Sequence, residues 1–515
     1  MRSGSRSAPS ARVRARRVRS AAQPESGHDL TQPSRGQQKT IQELSEGALH
    51  ITVYDLLAPA TGGCSTERRM SSPSGEDMPR YTTENPAMWS GCQGCVPGTL
   101  LGKVPRIRAD FQEAPMLPAD LPWPGRIPAS AAALTVSVSR DLEARLPQFL
   151  RDLEALVNLD SGTYDHDDVA RAGAVVRARC AAWGAEIVEH PGGMYADSFA
   201  ATLHGQGTAR VMLLCHLDTV FPTGTAAARP FGIEGDRARG PGTCDMKGGL
   251  LAAIYAIEAL RRLGFDGFAQ VRLLCTTDEE VGAPSSRPFL ERMAAGMHAV
   301  LVLEAARENG DIVGQRKGGG FYRLEVAGHA AHAGVEPEKG RSAALTLSRQ
   351  VVALHALNDF AAGRTVNVGT LRAGTRPNVV PDAAEAEVDL RAYTHADMAA
   401  LLREVEDALA REAIAGTTYT WTPLQVRPPW ERNPGTDNLV ARARAVAATL
   451  GFDVHAATTG GTSDGNFTAA LGIPTLDGLG PIGGLDHGPH EYVAIPSIVP
   501  RTALLAGLIA ALAEA

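Results

Sequence analysis

The sequence predicts an α/β protein, with a mostly parallel sheet covered by helices on both faces and a smaller two-layer α+β domain inserted into it. Two observations support this fold class. From about residue 139 onward, short apolar runs alternate with amphipathic helical stretches. Near Gly318 the pattern changes to strands in which apolar and polar residues alternate, which is typical of half-exposed antiparallel strands.

Residues 1–133 differ in composition from the rest, and we expect a disordered extension that ends in a proline-rich linker. A transit peptide or a basic nucleic-acid-binding arm would also begin with many arginines and no acid. The arginines concerned are Arg2, Arg6, Arg12, Arg14, Arg16, Arg17 and Arg19. No apolar segment typical of a secretory signal follows, and the single pair Cys92 and Cys95 is weak evidence for zinc or redox chemistry.

The overall composition excludes several classes of protein. A chain of 515 residues that is 44% hydrophobic and 21% charged can bury a large core. The formal net charge of -7 argues against a general nucleic-acid binder. The sequence contains no uninterrupted run of about 18 apolar residues, so it predicts no membrane span. We therefore expect a cytoplasmic protein that binds neither nucleic acid nor membrane.

The larger domain is predicted at residues 134–318 and 429–515. Its first helix has apolar residues at helical spacing from Leu142 to Leu156, with a break or kink at Pro147. We also predict three buried strands, a second helix and a C-terminal helix. Ser497 is predicted to cap the C-terminal helix, and Pro500 is predicted to lie in its first turn. The strands are Val211–Cys215, Val271–Cys275 and Val300–Leu303, and the second helix is Leu250–Leu263, which ends at Gly264.

The smaller domain is predicted at residues 319–428, in the order β-α-β-β-α-β, and Pro428-Pro429 marks the return to the larger domain. Its predicted strands are Phe321–Val326, Thr365–Thr370, Ala384–Leu390 and Thr417–Thr422, separated by helices at Ala343–Leu357 and Ala396–Ala410.

Side chains that can bind metals follow all three predicted buried strands. His216 comes after the first strand, Glu279 and Glu280 after the second, and Glu304 after the third. Ligands gather outside the carboxyl ends of strands in open α/β sheets, so we expect these side chains to meet. Asp245, in the glycine-rich turn 240–249, and His487 complete the candidate set.

Carboxylates that converge in this way repel one another unless a cation offsets their charge. A mixture of nitrogen and oxygen ligands favours zinc, or a similar ion such as cobalt or manganese, and two divalent ions would bring the cluster near neutrality. The glycine-rich turn is not a phosphate-binding loop, since Lys247 is followed by Gly248-Gly249 instead of serine or threonine.

Several separated motifs resemble those of the M20 zinc metallopeptidases, over about residues 139–515. These are His216-Leu217-Asp218-Thr219-Val220, Gly240-Pro241-Gly242 with Asp245-Met246-Lys247-Gly248-Gly249, and Asp278-Glu279-Glu280-Val281-Gly282. The strings Gly460-Gly461-Thr462-Ser463-Asp464-Gly465-Asn466 and His487…Glu491-Tyr492-Val493 resemble the glutamate carboxypeptidase branch. The resemblance implies a zinc-exopeptidase-like fold in which the inserted domain is a lid and a dimerisation surface.

The resemblance also implies a role for each matching residue. Asp245 bridges two metal ions. The other protein ligands of the first ion are His216 and Glu304, and those of the second ion are Glu280 and His487. Glu279 is the general base, Asp218 orients His216, and the Asp245–Met246 peptide bond is cis. In the inserted domain, His332 acts in the partner subunit's active site, while Asn378 and Arg391 contact substrate. Two departures from the family pattern are Ala305 in place of proline and an additional histidine, His490.

These roles predict a two-zinc enzyme that hydrolyses an amide bond of a small peptide and releases its C-terminal amino acid, acting as a homodimer. An N-acyl amino-acid deacylase or desuccinylase, of the acetylornithine or succinyl-diaminopimelate type, would use the same site. A non-catalytic scaffold would require the loss of a metal ligand, and all five are present in the sequence. A nucleic-acid binder would require a basic folded region, whereas the chain as a whole is acidic.

Overall fold

The computed structural model describes residues 126–514, so the predictions for residues 1–125, including Cys92 and Cys95, lie outside the described residues. The helices of this part of the chain are α1 (Ala129–Val157), α2 (His166–Ala182), α3 (Thr225–Ala228), α4 (Gly248–Arg262), α5 (Arg287–Ala294), α6 (Ala343–His355), α7 (His395–Glu412), α8 (Pro434–Thr449), α9 (Gly465–Ala470) and α10 (Ile495–Ala513). The strands are β1 (Glu186–His190), β2 (Ser198–His204), β3 (Arg210–His216), β4 (Gly232–Glu234), β5 (Arg237–Arg239), β6 (Gln270–Thr276), β7 (Ala299–Val302), β8 (Ile312–Arg316), β9 (Gly318–Ala327), β10 (Thr365–Ala373), β11 (Ala383–Ala392), β12 (Thr418–Arg427), β13 (Ala456–Thr459), β14 (Thr475–Leu476), β15 (Gly483–Gly484) and β16 (Tyr492–Ala494).

The central sheet has six strands in the order β1-β2-β6-β3-β7-β14. Strand β3 pairs in parallel with β6 and β7, and β7 pairs in parallel with β14, whereas β1 and β2 are antiparallel. The mostly parallel sheet predicted from the sequence is therefore confirmed. Because β3, β6 and β7 run in the same direction, their carboxyl ends meet at one edge of the sheet.

Helices pack on both faces of this sheet, and alternate residues of β3 point to opposite sides. Leu213 belongs to the same buried apolar cluster as residues of α1, α4 and α10, while Met212 and Leu214 belong to a second cluster that includes Phe289 of α5 and Phe467 of α9. These two apolar layers form the core of the larger domain.

Helix α1 differs from its prediction in two respects. It begins at Ala129, inside the stretch predicted to be linker, because the buried stripe of Ala131, Thr135 and Val138 continues toward the N-terminus. It also continues through Pro147, so of the predicted break or kink the break is absent. Core packing on both sides of the proline, by Leu142 and Phe149, offsets the lost backbone hydrogen bond.

The C-terminal helix α10 also begins earlier than predicted. Ser497 lies inside the helix, where its hydroxyl donates to the carbonyl of Ala494, so the prediction that Ser497 caps the helix was wrong. Proline occupies the first turn at Pro496, and Pro500 lies within the helix instead of in its first turn.

Among the described residues, α10 is the one helix that is long and apolar enough to cross a membrane by length and composition. Arg501 interrupts the apolar residues of α10, so the search for an uninterrupted apolar run in the sequence did not detect this helix. Because 78% of its apolar window is buried against the rest of the protein, α10 has the surroundings of a core helix.

A separate antiparallel sheet, in the order β10-β11-β9-β12, forms the smaller domain with helices α6 and α7. Its elements follow the predicted β-α-β-β-α-β order. One face of the sheet, which includes Leu324 and Val388, packs with the apolar faces of both helices, and the opposite face is open to solvent. Strand β10 lies at one edge and has one neighbouring strand, β11.

A small four-stranded sheet, in the order β15-β16-β5-β4, joins two distant parts of the larger domain. It pairs Tyr492 with Arg239 and thereby places the segment around His487 beside the glycine-rich turn that follows β5. This pairing brings the last predicted ligand to the edge of the central sheet.

Candidate metal centre and active site

The structure brings all five predicted ligand residues together. His216 is the last residue of β3, and Glu304 follows the end of β7. Glu280 lies in a single 3-10 turn after β6, and Asp245 lies in the turn directly before α4, where its own backbone is not helical. His487 is in the loop between β15 and β16.

Asp245 lies at the centre of the cluster, between the two histidines. Its Oδ1 is 2.9 Å from Nε2 of His216, and its Oδ2 is 3.1 Å from Nε2 of His487. Glu304 lies on the first side, 3.6 Å from His216, and Glu280 lies on the second, 3.2 Å from His487. Each carboxylate oxygen of Asp245 therefore faces a different histidine, and each histidine lies beside a different glutamate.

The turn that carries Asp245 is held by a buried acid, Glu491. Its Oε1 accepts hydrogen bonds from the backbone N–H groups of Cys244 and Asp245, at 2.7 and 3.0 Å, and its Oε2 accepts one from Gly242 at 2.9 Å. Gly242 has a φ of +73°, a conformation that favours glycine. The peptide bond between Asp245 and Met246 is cis, as the resemblance implied.

Gly249 lets helix α4 approach the sheet closely enough to place this turn. A Cβ atom at Gly249 would lie 1.8 Å from the carbonyl oxygen of Leu303, the residue before Glu304. The absence of a side chain therefore brings the start of α4 and the Glu304 segment into direct contact.

Asp218 links His216 to the turn that carries Glu279 and Glu280. Its two carboxylate oxygens accept hydrogen bonds from the backbone N–H groups of both glutamates, each at 3.2 Å. Nδ1 of His216 is 2.9 Å from the backbone carbonyl of Asp218 and 3.5 Å from its carboxylate. The nearer partner of the imidazole is thus the carbonyl oxygen, while the carboxylate mainly positions the glutamate turn.

Burial and charge shift the pKa values of the cluster in opposite directions. Burial raises the pKa of Glu280 to about 8, and burial together with Asp245 raises the pKa of Glu304 well above its usual range. Burial opposes ionisation of Asp245 too, but hydrogen bonds from His216 and His487 lower its pKa. Hydrogen bonds to Asp245 and Glu280 raise the pKa of His487 to about 11. Glu280, Glu304 and the two imidazoles therefore tend to retain protons in the metal-free cluster, whereas Asp245 tends to be ionised.

The donor set fits divalent metal ions. Donor atoms of His216, Asp245 and Glu280 all lie within 4.8 Å of one another. Oε1 of Glu280 is buried and has no hydrogen-bond partner among the described residues, as expected of an atom whose partner is a cation. Imidazole nitrogens with carboxylate oxygens are a ligand set that suits zinc.

Glu279 lies next to the cluster but faces a different partner. Its Oε1 is 2.9 Å from Nη2 of Arg427, a buried guanidinium that also lies 3.2 Å from Asp464. Arg427 was not predicted from the sequence, because a single arginine at the end of a strand has no distinctive pattern. Glu491 belongs to a sequence motif but was predicted no role, although its place four residues after His487 could have indicated one.

Arg391 lies beside this arrangement, in a small cleft between the two domains. The cleft is lined by Gly319, Gly320, Phe321, Asp389, Arg391, Gln425, Arg427 and Thr462. Nε of Arg391 pairs with Asp389 on the same strand, and its Nη1 donates to the carbonyl of Gly460 at 2.9 Å. Arg391 therefore forms an ion pair within its own strand and also lines the cleft.

His332 and Asn378 are not joined to the metal cluster. They lie together in exposed loops of the smaller domain, where the N–H of Ala333 donates to the carbonyl of Asn378. No hydrogen bond or ion pair between described residues connects either side chain with the five ligand residues. Since the role predicted for His332 requires a second subunit, that role stays a prediction.

Comparison with known proteins identifies the family. The profile described as "Peptidase family M20/M25/M40" matches residues 212–511, which is more than half of the chain and includes all five ligand residues. The chain belongs to the M20 peptidase family. It is therefore a hydrolase of the metallopeptidase and amidohydrolase group, as the resemblance implied.

Individual relatives include both peptidases and deacylases. The chain is 29% identical to carboxypeptidase G2 of Pseudomonas sp. (strain RS-16), over 70% of this chain and 89% of that protein. It is 31% identical to succinyl-diaminopimelate desuccinylase of Methylococcus capsulatus, over 58% and 82% of the two chains. Among solved structures, the fold is similar to the M20 family metallo-carboxypeptidase Sso-CP2 from Sulfolobus solfataricus (TM-score 0.57, 17% identity, 71% of this chain and 99% of that chain).

Proposed function

We propose that this chain is a two-metal exopeptidase that hydrolyses an amide bond and releases a C-terminal amino acid. One observation supports this most directly: Glu279 precedes Glu280 in the turn that adjoins five converging side chains of types that can bind metal, and Arg391 lies in a cleft that is also lined by Arg427, the partner of Glu279. A base, a set of metal ligands and a cation for the substrate carboxylate are the groups that this reaction needs.

The proposed ligand assignment follows the two sides of Asp245. His216 and Glu304 would hold one ion, Glu280 and His487 would hold the other, and Asp245 would offer one oxygen to each. His490 is less suited than His487, because His487 is the histidine that contacts Asp245. The ions would be zinc, or else cobalt or manganese, which have similar ligand preferences.

In this proposal Glu279 moves the protons of the reaction. Bound zinc ions would polarise the scissile carbonyl and lower the pKa of a water molecule. Glu279 would accept the proton from that water and deliver it to the leaving amine. Arg427 restrains the Glu279 side chain at one oxygen, and Asp218 fixes its backbone, so the base is positioned before substrate arrives. Arg391 would bind the substrate carboxylate, with Asn378 as a second substrate contact.

We further propose that the smaller domain, residues 319–428, is a lid and dimerisation domain and that the catalytic domain comprises residues 134–318 and 429–515. Helix α6 exposes Leu345 and Val352 on one face, and the edge strand β10 exposes Leu371. An unpaired edge strand with exposed apolar side chains favours pairing with a second copy. In such a dimer His332 would reach the partner's site and donate a hydrogen bond to the oxyanion.

A deacylase or desuccinylase is the second candidate, because desuccinylases are among the relatives at about the same identity as carboxypeptidase G2. The zinc-loaded protein is to be assayed at one pH with three kinds of substrate. These are peptides whose C-terminal residue is glutamate, the compound N-acetylornithine, and the compound N-succinyl-diaminopimelate. Faster release of the C-terminal amino acid from the peptides supports the exopeptidase, and faster deacylation of the other two supports the second candidate. A wild-type protein that contains metal but hydrolyses none of them would contradict both.

A further inference from the structure

Strand β12 of the smaller domain contains a β-bulge shortly before its end. Up to the bulge, the odd-numbered residues Tyr419 and Trp421 pack against the apolar cluster that includes residues of α6 and α7. The pairing of β12 with β9 then shifts register between Pro423 and Gln425, which leaves Leu424 as an extra residue. A bulge of this kind changes the face of the sheet to which the following side chains point.

Gln425 and Arg427 therefore lie on the open face of the sheet, although they continue the same odd numbering. Gln425 is paired with Phe321 of β9, whose side chain is exposed on that face. Residues opposite each other in an antiparallel pair project to the same side, and Arg427, two residues further along, projects with Gln425. Both side chains line the cleft between the two domains. In a strand without the bulge, both would point toward the helices.

The amide of Gln425 contacts the turn of residues 279–282, which follows β6 in the larger domain. Its nitrogen donates a hydrogen bond to the carbonyl of Val281 at 3.2 Å, and its oxygen accepts one from the N–H of Gly282 at 3.1 Å, which is the orientation that satisfies both atoms. Gly282 has a φ of +91°, and a Cβ atom there would lie 2.2 Å from the side chain of Gln425. Glycine at this position thus allows the amide to lie directly against the main chain of the turn.

Arg427 holds the other end of the same turn. Its guanidinium donates a hydrogen bond to the backbone carbonyl of Glu279 and lies 2.9 Å from the carboxylate of that residue. Asp218, in the larger domain, accepts hydrogen bonds from the backbone N–H groups of Glu279 and Glu280. The turn is therefore held from two directions, by Asp218 of the larger domain and by strand β12 of the smaller one.

We propose that Gln425 is a positioning residue, which together with Arg427 makes strand β12 of the smaller domain part of the framework that directs Glu279 and Glu280. This inference rests on the proposed function, in which Glu279 is the base and Glu280 binds a metal ion. Gln425 is uncharged and pairs with the main chain, so it acts through the position of the turn. Movement of β12 away from the turn would release the base, and hydrolysis therefore requires the two domains to stay joined at this strand.

The test compares two variants of Gln425 with a control on the same strand. Gln425→Leu keeps most of the side-chain volume and removes both hydrogen bonds, and Gln425→Ala removes them without adding an apolar group. Each should lower kcat about tenfold and leave KM within about twofold, because the base is displaced while the substrate contacts remain. Thr422→Ala changes an exposed residue before the bulge and should leave both constants unchanged.

Two further measurements need no turnover. In the zinc-loaded Gln425→Leu protein, backbone hydrogen exchange within residues 279–282 should be faster than in the wild type. One of the two zinc ions, measured by competition with a chelator, should bind about tenfold more weakly, because Glu280 lies in the released turn. Thr422→Ala should again match the wild type in both measurements.

Two results would overturn the positioning role. The first is a raised KM with unchanged kcat and unchanged hydrogen exchange, which would make Gln425 a substrate contact. The second is wild-type behaviour of both Gln425 variants in every measurement, and in either case the proposed function stands. If the wild type hydrolyses none of the substrates, the proposed function fails, whereas faster exchange of the turn and weaker binding of one zinc ion in Gln425→Leu would still support the positioning role.

Discussion

The five ligand residues and the His332 loop represent two different kinds of functional region. The ligand residues come from separate segments of the larger domain, yet each contacts another, and Asp218 and Glu491 fix the turns between them. His332 lies in an exposed loop, where its side chain accepts a local hydrogen bond from the N–H of Gly334. One region is preorganised within a single chain, and the other is placed at the surface, away from the groups it is proposed to serve.

This difference indicates which functions a single chain can complete. A metal centre needs donor atoms held near their final positions, and the buried network provides that without a second subunit. An oxyanion donor on an exposed loop has to be brought to the substrate by another copy or by closure of the lid. The proposed metal binding should thus survive in a monomer, whereas full turnover should not.

The largest expected effect is the loss of the base. Glu279→Gln should reduce kcat by about 10²- to 10⁴-fold, because the amide cannot accept the proton while it can still face Arg427. Metal content, measured by mass spectrometry, should remain at the wild-type value. Glu291→Gln, in an exposed ion pair of α5, is the control and should retain wild-type turnover. Near-normal rates in Glu279→Gln would remove the assigned base.

The role of His332 is tested by mixing subunits. His332→Ala should lower kcat by about 10²- to 10³-fold, the effect expected for loss of an oxyanion donor. Coexpression with Glu279→Gln should restore activity in the mixed dimer, since one of its two sites then has both an intact base and an intact histidine from the other subunit. If His332 acts within its own chain, both sites of the mixed dimer are defective and no activity returns.

A smaller effect is expected in the pH dependence of metal binding. Because the pKa of Glu280 is raised to about 8 and that of His487 to about 11, the metal-free cluster holds protons at neutral pH that a cation must displace. Zinc affinity should therefore increase as pH rises toward 8, by about tenfold per pH unit for each proton released. Calorimetry in two buffers of different ionisation enthalpy counts those protons, and Glu280→Gln should release about one fewer. Affinity that is independent of pH between 6 and 8 would contradict these pKa shifts.

The smallest effect is expected for removal of the N-terminal region. None of the proposed site residues lies in residues 1–125, and α1 begins at Ala129. A chain that starts at residue 126 should keep the melting temperature of the full-length protein, and its kcat/KM should stay within about twofold. A substantial loss of hydrolysis would assign a role to the extension, and a variant that starts at residue 140, which lacks the first turns of α1, should be less stable.

The convergence of the five proposed ligand residues could be predicted from the sequence because several of them follow a recognisable feature. His216 and Glu304 come directly after runs of buried strand residues, and parallel strands necessarily bring their carboxyl ends together. Strands β1 and β2 were not predicted, because β1 is exposed and β2 consists largely of small residues. Such strands lack both the alternating and the continuous apolar pattern.

Features that depend on long-range packing could not be predicted. Pro147 was expected to break or kink a helix that continues through it, and Ser497 was expected to cap a helix that begins before it. Arg427 meets Glu279 and Asp464 only in the folded chain, and Thr163 meets Asp218 in the same way. Single residues of these types carry no periodicity or spacing from which such contacts could be inferred.

The most direct test of the metal centre is the number of zinc ions bound per chain after equilibrium dialysis, measured by mass spectrometry on the wild type and on Asp245→Ala. We expect two ions per chain in the wild type and a large reduction in the variant, because Asp245 presents one oxygen to each side of the cluster. A wild-type protein that binds no zinc, or an Asp245→Ala protein that still binds two ions, would contradict the account.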